Sequence, residues 1–136
     1  MHPIVIDSGT QREIPGGYEL RFTGWTEERY WAEAPPDRFC EFVDGEVVMP
    51  SPVDVEHQQV VGFLQFLLSG HCDARAAGTV LTGPAAIRLR PGLAREPDLL
   101  VVAPGDAAGL KGCRVEACPI LIVEVAGSDS ERRDLV

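Results

Sequence analysis

The chain has 136 residues, of which 45% are hydrophobic and 24% charged, and its 12 Lys+Arg against 21 Asp+Glu give a formal net charge of −9. That length suits one domain, since a single core usually serves roughly 100–200 residues, and the apolar content excludes a disordered chain, which could not bury enough surface to offset its lost entropy. The acidic balance argues against broad attraction to nucleic acid or anionic membrane, whose phosphates are gripped mainly by excess Lys and Arg.

Residues 1–24 mix short apolar pieces with Pro15 and Gly16-Gly17 and read as an N-terminal arm carrying one edge strand. They show neither the basic start nor the sustained apolar run of a secretory signal. The longest apolar runs, 99–103 and 120–123, fall far short of the roughly 20 residues of a membrane span, so a cytoplasmic protein without membrane attachment is expected. Thr26 is placed to cap a helix, with Glu27 and Glu28 in the first turn near the positive end of its dipole, and Trp25 and Tyr30 are spaced as a hydrophobic staple. Pro35-Pro36 ends that helix.

Residues 39–43 and 46–49 flank Asp44-Gly45, the pair that supplies the positive φ angles of a type I′ hairpin. A two-residue turn pairs Val43 with Glu46 and Glu41 with Val48. Glu41 and Glu46 then share one face, while Cys40, Phe42, Val47 and Met49 share the face turned to the core. From about Asp54 to Gly70, His57, Val60, Val61, Leu64, Leu67 and Leu68 fall at helical spacing, with His57 heading the stripe.

Strand-like stretches follow at 79–82, 85–90 and 98–102, and a Gly- and Ala-rich connection over 104–117 leads to 120–125. That last stretch is apolar on both faces and predicts a central strand covered on each side. Ser128, Asp129 and Ser130 are placed to cap a final helix over 131–135. Cys40, Cys72, Cys113 and Cys118 lack the tight pairing of a zinc site and read as reduced, mostly buried residues.

The chemistry-bearing positions are Asp98, opening a strand after Glu96-Pro97, and Glu124, closing a run of Ile, Leu and Val. An ionised carboxylate in such a run needs a cation, hydrogen bonds or solvent. If the two strands pair antiparallel, the start of one neighbours the end of the other and both acids reach the same rim; a parallel pairing would separate them by roughly 15–20 Å. Two adjacent carboxylates with an open coordination sphere suit Mg²⁺ or Mn²⁺, which take hard oxygen ligands and leave room for water and a substrate phosphate. The competing expectation is that Asp98 merely begins a strand and Glu124 pairs with Arg88 or Arg90. His57 reads equally as a general base or metal ligand and as a hydrogen-bonded histidine of a buried stripe. Glu41 reads as a solvated hairpin acid or as part of an acidic wall with Glu46.

The order Phe39-Cys40-Glu41-Phe42-Val43-Asp44-Gly45-Glu46-Val47-Val48-Met49-Pro50-Ser51-Pro52, then His57 opening a helix, Glu96-Pro97-Asp98-Leu99-Leu100, Val115-Glu116-Ala117, Val123-Glu124-Val125 and Arg133-Asp134-Leu135 resembles the Uma-two family of restriction endonucleases over residues 25–136. The resemblance implies an α/β fold with a restriction-endonuclease-like core of the PD-(D/E)-X-K superfamily. In such a core a mixed central β-sheet is flanked by helices and a divalent metal is held by the signature Asp and Glu. Carried over by position, Pro97-Asp98 supplies the first half of the signature and Glu124 the second, while Glu41 and His57 match further acidic and histidine positions counted with the catalytic set. DNA is the implied substrate and Mg²⁺ or Mn²⁺ the implied cofactor.

The sequence departs from that pattern at the lysine. Ala126 stands two residues after Glu124, the only lysine of the chain is Lys111, and the family's C-terminal helix and following strand are not completed before Val136, as though the C-terminal part were truncated. The alternative expectation is therefore a catalytically inactive nuclease-fold module that acts in protein–protein interaction or as a homodimer.

Overall fold

The computed structural model describes residues 5–6, 13–14, 18–112 and 114–127. The expected terminal helix over 131–135 and its caps, Cys113, and the Arg133-Asp134-Leu135 motif lie outside the described residues. Among the described residues the fold is mixed α/β: two helices accompany a two-stranded ladder, a seven-stranded sheet and a three-stranded sheet. The two-stranded ladder is β1 (Val5–Ile6) against β2 (Glu13–Ile14), and the edge strand expected in the N-terminal arm is β3 (Glu19–Thr23), which pairs antiparallel with β5 (Glu46–Pro50).

Helix α1 (Glu27–Glu33) starts as its sequence dictates. Thr26 Oγ1 accepts from Arg29 N at 3.1 Å, two glutamates sit in the first turn, and the helix stops at Ala34 before the proline pair. Strands β4 (Glu41–Val43) and β5 are joined through Asp44 and Gly45 at φ 45° and 95°, and the register pairs Val43 with Glu46 and Glu41 with Val48. The predicted inward face is the core face: Tyr30 of α1 packs with Cys40, Phe42, Val47 and Ala94, and Trp25, Trp31 and Met49 close around them. The Tyr30 hydroxyl donates to the Cys40 carbonyl at 2.6 Å, so the deepest hydroxyl of this cluster also ties α1 to the hairpin. The opposite face is covered as well, since Glu41 and Val48 are buried; a solvated Glu41 is thus not what the fold contains.

Helix α2 (Val55–Arg75) outruns the predicted end near Gly70 by five residues and stops where Ala76 adopts a left-handed conformation at φ 48°. Asp54 Oδ1 caps it by accepting from His57 N at 2.8 Å. Its buried stripe is narrower than the periodicity suggests: His57 and Cys72 are buried and Val61, Leu64 and Leu68 half-buried, but Val60 and Leu67 face outward. The helix packs on β6 (Thr79–Thr82). Gly78 between them is at φ +146°, and a Cβ there would lie 2.3 Å from the Val102 carbonyl oxygen, so the tight return needs glycine.

Strands β7 (Ala86–Arg90) and β8 (Leu93–Arg95) form an antiparallel hairpin, and β8 also pairs with β4. The Gly- and Ala-rich connection after β9 (Leu99–Val102) holds a 3₁₀ turn at Pro104–Gly109 and two short strands, β10 (Leu110–Lys111) and β11 (Arg114–Val115). The parallel β11–β7 pair makes the large sheet mixed. In the small sheet β9 lies between β6 and β12 (Pro119–Val123). The strand covered on both sides is therefore β9, whose four residues are all buried, and not β12, in which Ile120, Leu121 and Ile122 are exposed. Continuous apolarity marks both strands alike, and only the pairing order tells centre from edge. Ala85, Ile87, Leu100, Val102 and Val115 form the second core cluster, where the two sheets meet.

Candidate active site

The antiparallel arrangement on which the sequence argument depended is present. β12 pairs with β9 in the register Val123 to Leu99, Ile122 to Leu100 and Leu121 to Val101. One further step sets position 124 opposite position 98, at the end where β9 begins. Backbone pairing stops there, and the Asp98 side chain takes over: its Oδ2 accepts from Val125 N at 2.8 Å. The other carboxylate oxygen, Oδ1, lies 3.0 Å from His57 Nε2. A carboxylate only accepts, so the Nε2 proton is on His57 and is donated to Asp98. The two side chains are 8% and 12% exposed, which makes this a sheltered contact between the first turn of α2 and the entrance of β9.

A second constellation sits where β4 and β8 begin and end. Their register, Phe42 to Ala94 and Val43 to Leu93, sets Glu41 opposite Arg95 and Cys40 opposite Glu96. Side chains again extend the ladder beyond the backbone. Glu41 Oε1 accepts from Glu96 N at 3.2 Å, Glu41 Oε2 accepts from Arg95 Nη1 at 2.5 Å, and Glu96 Oε2 accepts from Cys40 N at 2.7 Å. The two acids therefore brace the strands reciprocally. Burial pushes the Glu96 carboxyl up to about 7, against the Cys40 N–H that favours its charge, with the nearby Glu41 charge pushing the same way as burial. Burial likewise pushes the Cys40 thiol up to about 11, so it is no nucleophile at neutral pH.

Beside the second constellation lies a cleft of about 200 Å³ lined by Glu41, Arg95 and Glu124 together with Ile87, Leu89, Pro97 and Ile122. Asp98 and His57 are not among its lining residues, and Asp98 adjoins it through Pro97 and through the position opposite Glu124. Glu124 is exposed there. The arginines expected to compete for it are engaged elsewhere: Arg88 with Glu27, and Arg90 with Asp44 through bonds of 2.8 and 2.9 Å. The structure thus brings His57 to Asp98, sets Glu124 across from Asp98 by register, and puts Glu41 in the same cleft as Glu124. It forms no group of three His, Cys, Asp or Glu able to hold a metal among the described residues. The donor set still fits Mg²⁺ or Mn²⁺ in kind, since both candidate ligands are carboxylates and these ions take few protein ligands.

The roles of Arg95 and Glu96 are not legible in the sequence, because Leu93-Ala94-Arg95 does not alternate and β8 is a strand only through its pairing with β4 and β7. The local cue is the Pro91-Gly92 pair, which turns the chain back beside β7.

The family model Uma2, described as a putative restriction endonuclease, matches residues 25–136, and the chain belongs to that family. No curated protein matches the chain. No helix among the described residues is long and apolar enough to cross a membrane.

Proposed function

We propose that the protein is a divalent-metal-dependent endonuclease that hydrolyses DNA phosphodiester bonds in the cytoplasm, with Asp98 and Glu124 as the ligands of Mg²⁺ or Mn²⁺. The observation that carries this reading is the β9–β12 register, which runs the entrance of one strand past the exit of the other. Family membership over residues 25–136 supports the reaction class. A divalent ion held there would lower the pKa of a water molecule and stabilise charge on the phosphodiester.

The protein's own groups do the rest. His57 and the Val125 N–H fix both oxygens of Asp98, which leaves the carboxylate one orientation from which to ligate. His57, with its Nε2 proton committed to Asp98, acts as a positioning residue. Glu41, clasped by the Glu96 N–H and Arg95, forms the acidic wall of the cleft.

Incubation of the purified chain with supercoiled plasmid and Mn²⁺ or Mg²⁺ tests this. Nicking is expected, with a loss of roughly 100-fold or more in Asp98→Asn and in Glu124→Gln. No nicking by the parent chain, or nicking unchanged in both variants, refutes it.

A second reading, a silent nuclease-fold module that pairs with its own copy, is favoured by Ala126 in place of the superfamily lysine and by the exposed Ile120, Leu121 and Ile122 on β12. Light scattering would then give a homodimer, and calorimetric titration with Mn²⁺ would show no binding that depends on Asp98 and Glu124.

A further inference from the structure

We infer that Arg95 is the phosphate-gripping residue of the cleft, a positive group that this chain sets against the substrate where Ala126, and not a lysine, stands two residues after Glu124. The inference rests on the nuclease reading and extends it to a residue outside the family signature. Four observations carry it. Arg95 lines the same cleft as Glu124. Its guanidinium is anchored within the cleft, because Glu41 is itself held by the Glu96 N–H and accepts from Arg95 Nη1. The anchor is buried and the guanidinium is not: the Glu41 side chain is 6% exposed and that of Arg95 37%. Finally, the neighbouring arginines are spent, Arg88 and Arg90 each holding a carboxylate through two nitrogens, and Arg114 lying over the Trp31 ring and 3.3 Å from Glu116.

A guanidinium carries its N–H donors in a rigid planar fork that matches two oxygens of a phosphate. Among the described residues Arg95 spends only Nη1, so its Nε and Nη2 donors are not used by protein groups. Glu41 holds one corner of the guanidinium at the cleft before substrate arrives, which lowers the side-chain freedom lost on binding. A divalent ion held by Asp98 and Glu124 would supply positive charge at the phosphate, and Arg95, lining the cleft with Glu124, would add N–H donors to it. The lone lysine, Lys111, belongs to β10.

The test uses the full chain and a fluorescein-labelled random-sequence DNA duplex, with anisotropy followed across a KCl series in Ca²⁺, alongside plasmid nicking in Mn²⁺. Each phosphate contact contributes about 0.9 to the slope of log affinity against log salt, so Arg95→Met should flatten the slope by about that amount. Nicking should fall roughly 10- to 100-fold in the same variant, as expected for a lost charge-assisted contact at the phosphate. Arg95→Lys should restore the salt slope but only part of the rate, because an ammonium replaces the charge and not the fork.

Because Arg95→Met leaves Glu41 buried without its cation, the pair Glu41→Gln and Glu41→Gln/Arg95→Met is measured as well. Gln at 41 keeps an acceptor for the Glu96 N–H, and the slope difference between these two chains isolates Arg95 from folding. An unchanged slope and rate in variants whose melting curves match their references overturns the Arg95 assignment and leaves the nuclease reading standing. A parent chain that neither binds the duplex nor nicks plasmid overturns both.

Discussion

Glu27 offers the sharpest test of how the fold is pinned together around the site. Its carboxylate, in the first turn of α1, receives the Nε and Nη2 of Arg88, the backbone N–H of Gly92 at 3.0 Å and the indole N–H of Trp31 at 3.3 Å, and so ties α1 to the β7–β8 hairpin that ends in Arg95. The Arg88 bonds first, and then the Gly92 N–H, hold the carboxyl down from 4.5 to about 2. A shift converts at about 1.4 kcal/mol per pH unit, but the Arg88 side chain is 46% exposed, so solvent screening reduces the stabilisation to about 1–2 kcal/mol. The folded-state pKa lies below the unfolded one. The contribution is therefore complete above pH 4.5 and is lost as the pH falls from there toward 2.

Glu27→Gln should accordingly lower the unfolding free energy at pH 7 by about 1–2 kcal/mol, and the gap between variant and parent should close on acidification. Urea unfolding followed by the fluorescence of Trp25 and Trp31, repeated from pH 7 down to the acid limit of the folded state, measures both. Because each point is a difference between two chains, the other titrating groups cancel. A variant as stable as the parent at pH 7, or a gap that stays constant as the pH falls, would refute the reasoning.

Tyr30→Phe removes only the hydroxyl that donates to the Cys40 carbonyl, and about 1–2 kcal/mol of stability should go with it in urea unfolding at unchanged m-value. Gly78→Ala forces a Cβ against the Val102 carbonyl at a positive φ and should cost about 1–3 kcal/mol, read as a lowered melting temperature. His57→Phe, which keeps a ring but removes the donor to Asp98 Oδ1, should slow plasmid nicking roughly 10-fold or more, with His57→Gln, whose amide N–H can replace Nε2–H, recovering part of the rate, a rescue that distinguishes orientation from folding. Equal nicking rates in His57→Phe and parent would rule out the positioning role.

Local chemistry made α1, the β4–β5 turn and the start of α2 readable, because a capping side chain or an Asp-Gly pair acts on its nearest neighbours whatever the rest of the chain does. The extent of α2 was less so, since nothing in Cys72-Asp73-Ala74-Arg75 breaks a helix and only the turn at Ala76 ends it. The rank of β9 and β12 was not readable at all: two runs of aliphatic residues look alike, and which becomes central depends on β6, a partner distant in sequence.

The site followed the same division. Asp98 and Glu124 stood out because acids interrupt apolar runs, and the antiparallel condition placed on them was met. Contacts made across the fold, His57 with Asp98 and Glu41 with Arg95, depend on how α2 docks and on where the short β8 falls, and spacing alone leaves His57 and Glu41 with two readings each and Arg95 with none.

The bond from the Val125 amide to Asp98 has a consequence for anyone dissecting this protein by mutagenesis. The carboxylate serves as the last rung of a ladder whose ordinary rungs are peptide carbonyls, and truncating it to alanine would unzip the chain that carries Glu124 as well as delete a ligand. An inactive alanine mutant would then report a displaced neighbour as readily as missing chemistry. The isosteric amide, which keeps an oxygen for Val125, is the substitution that separates the two.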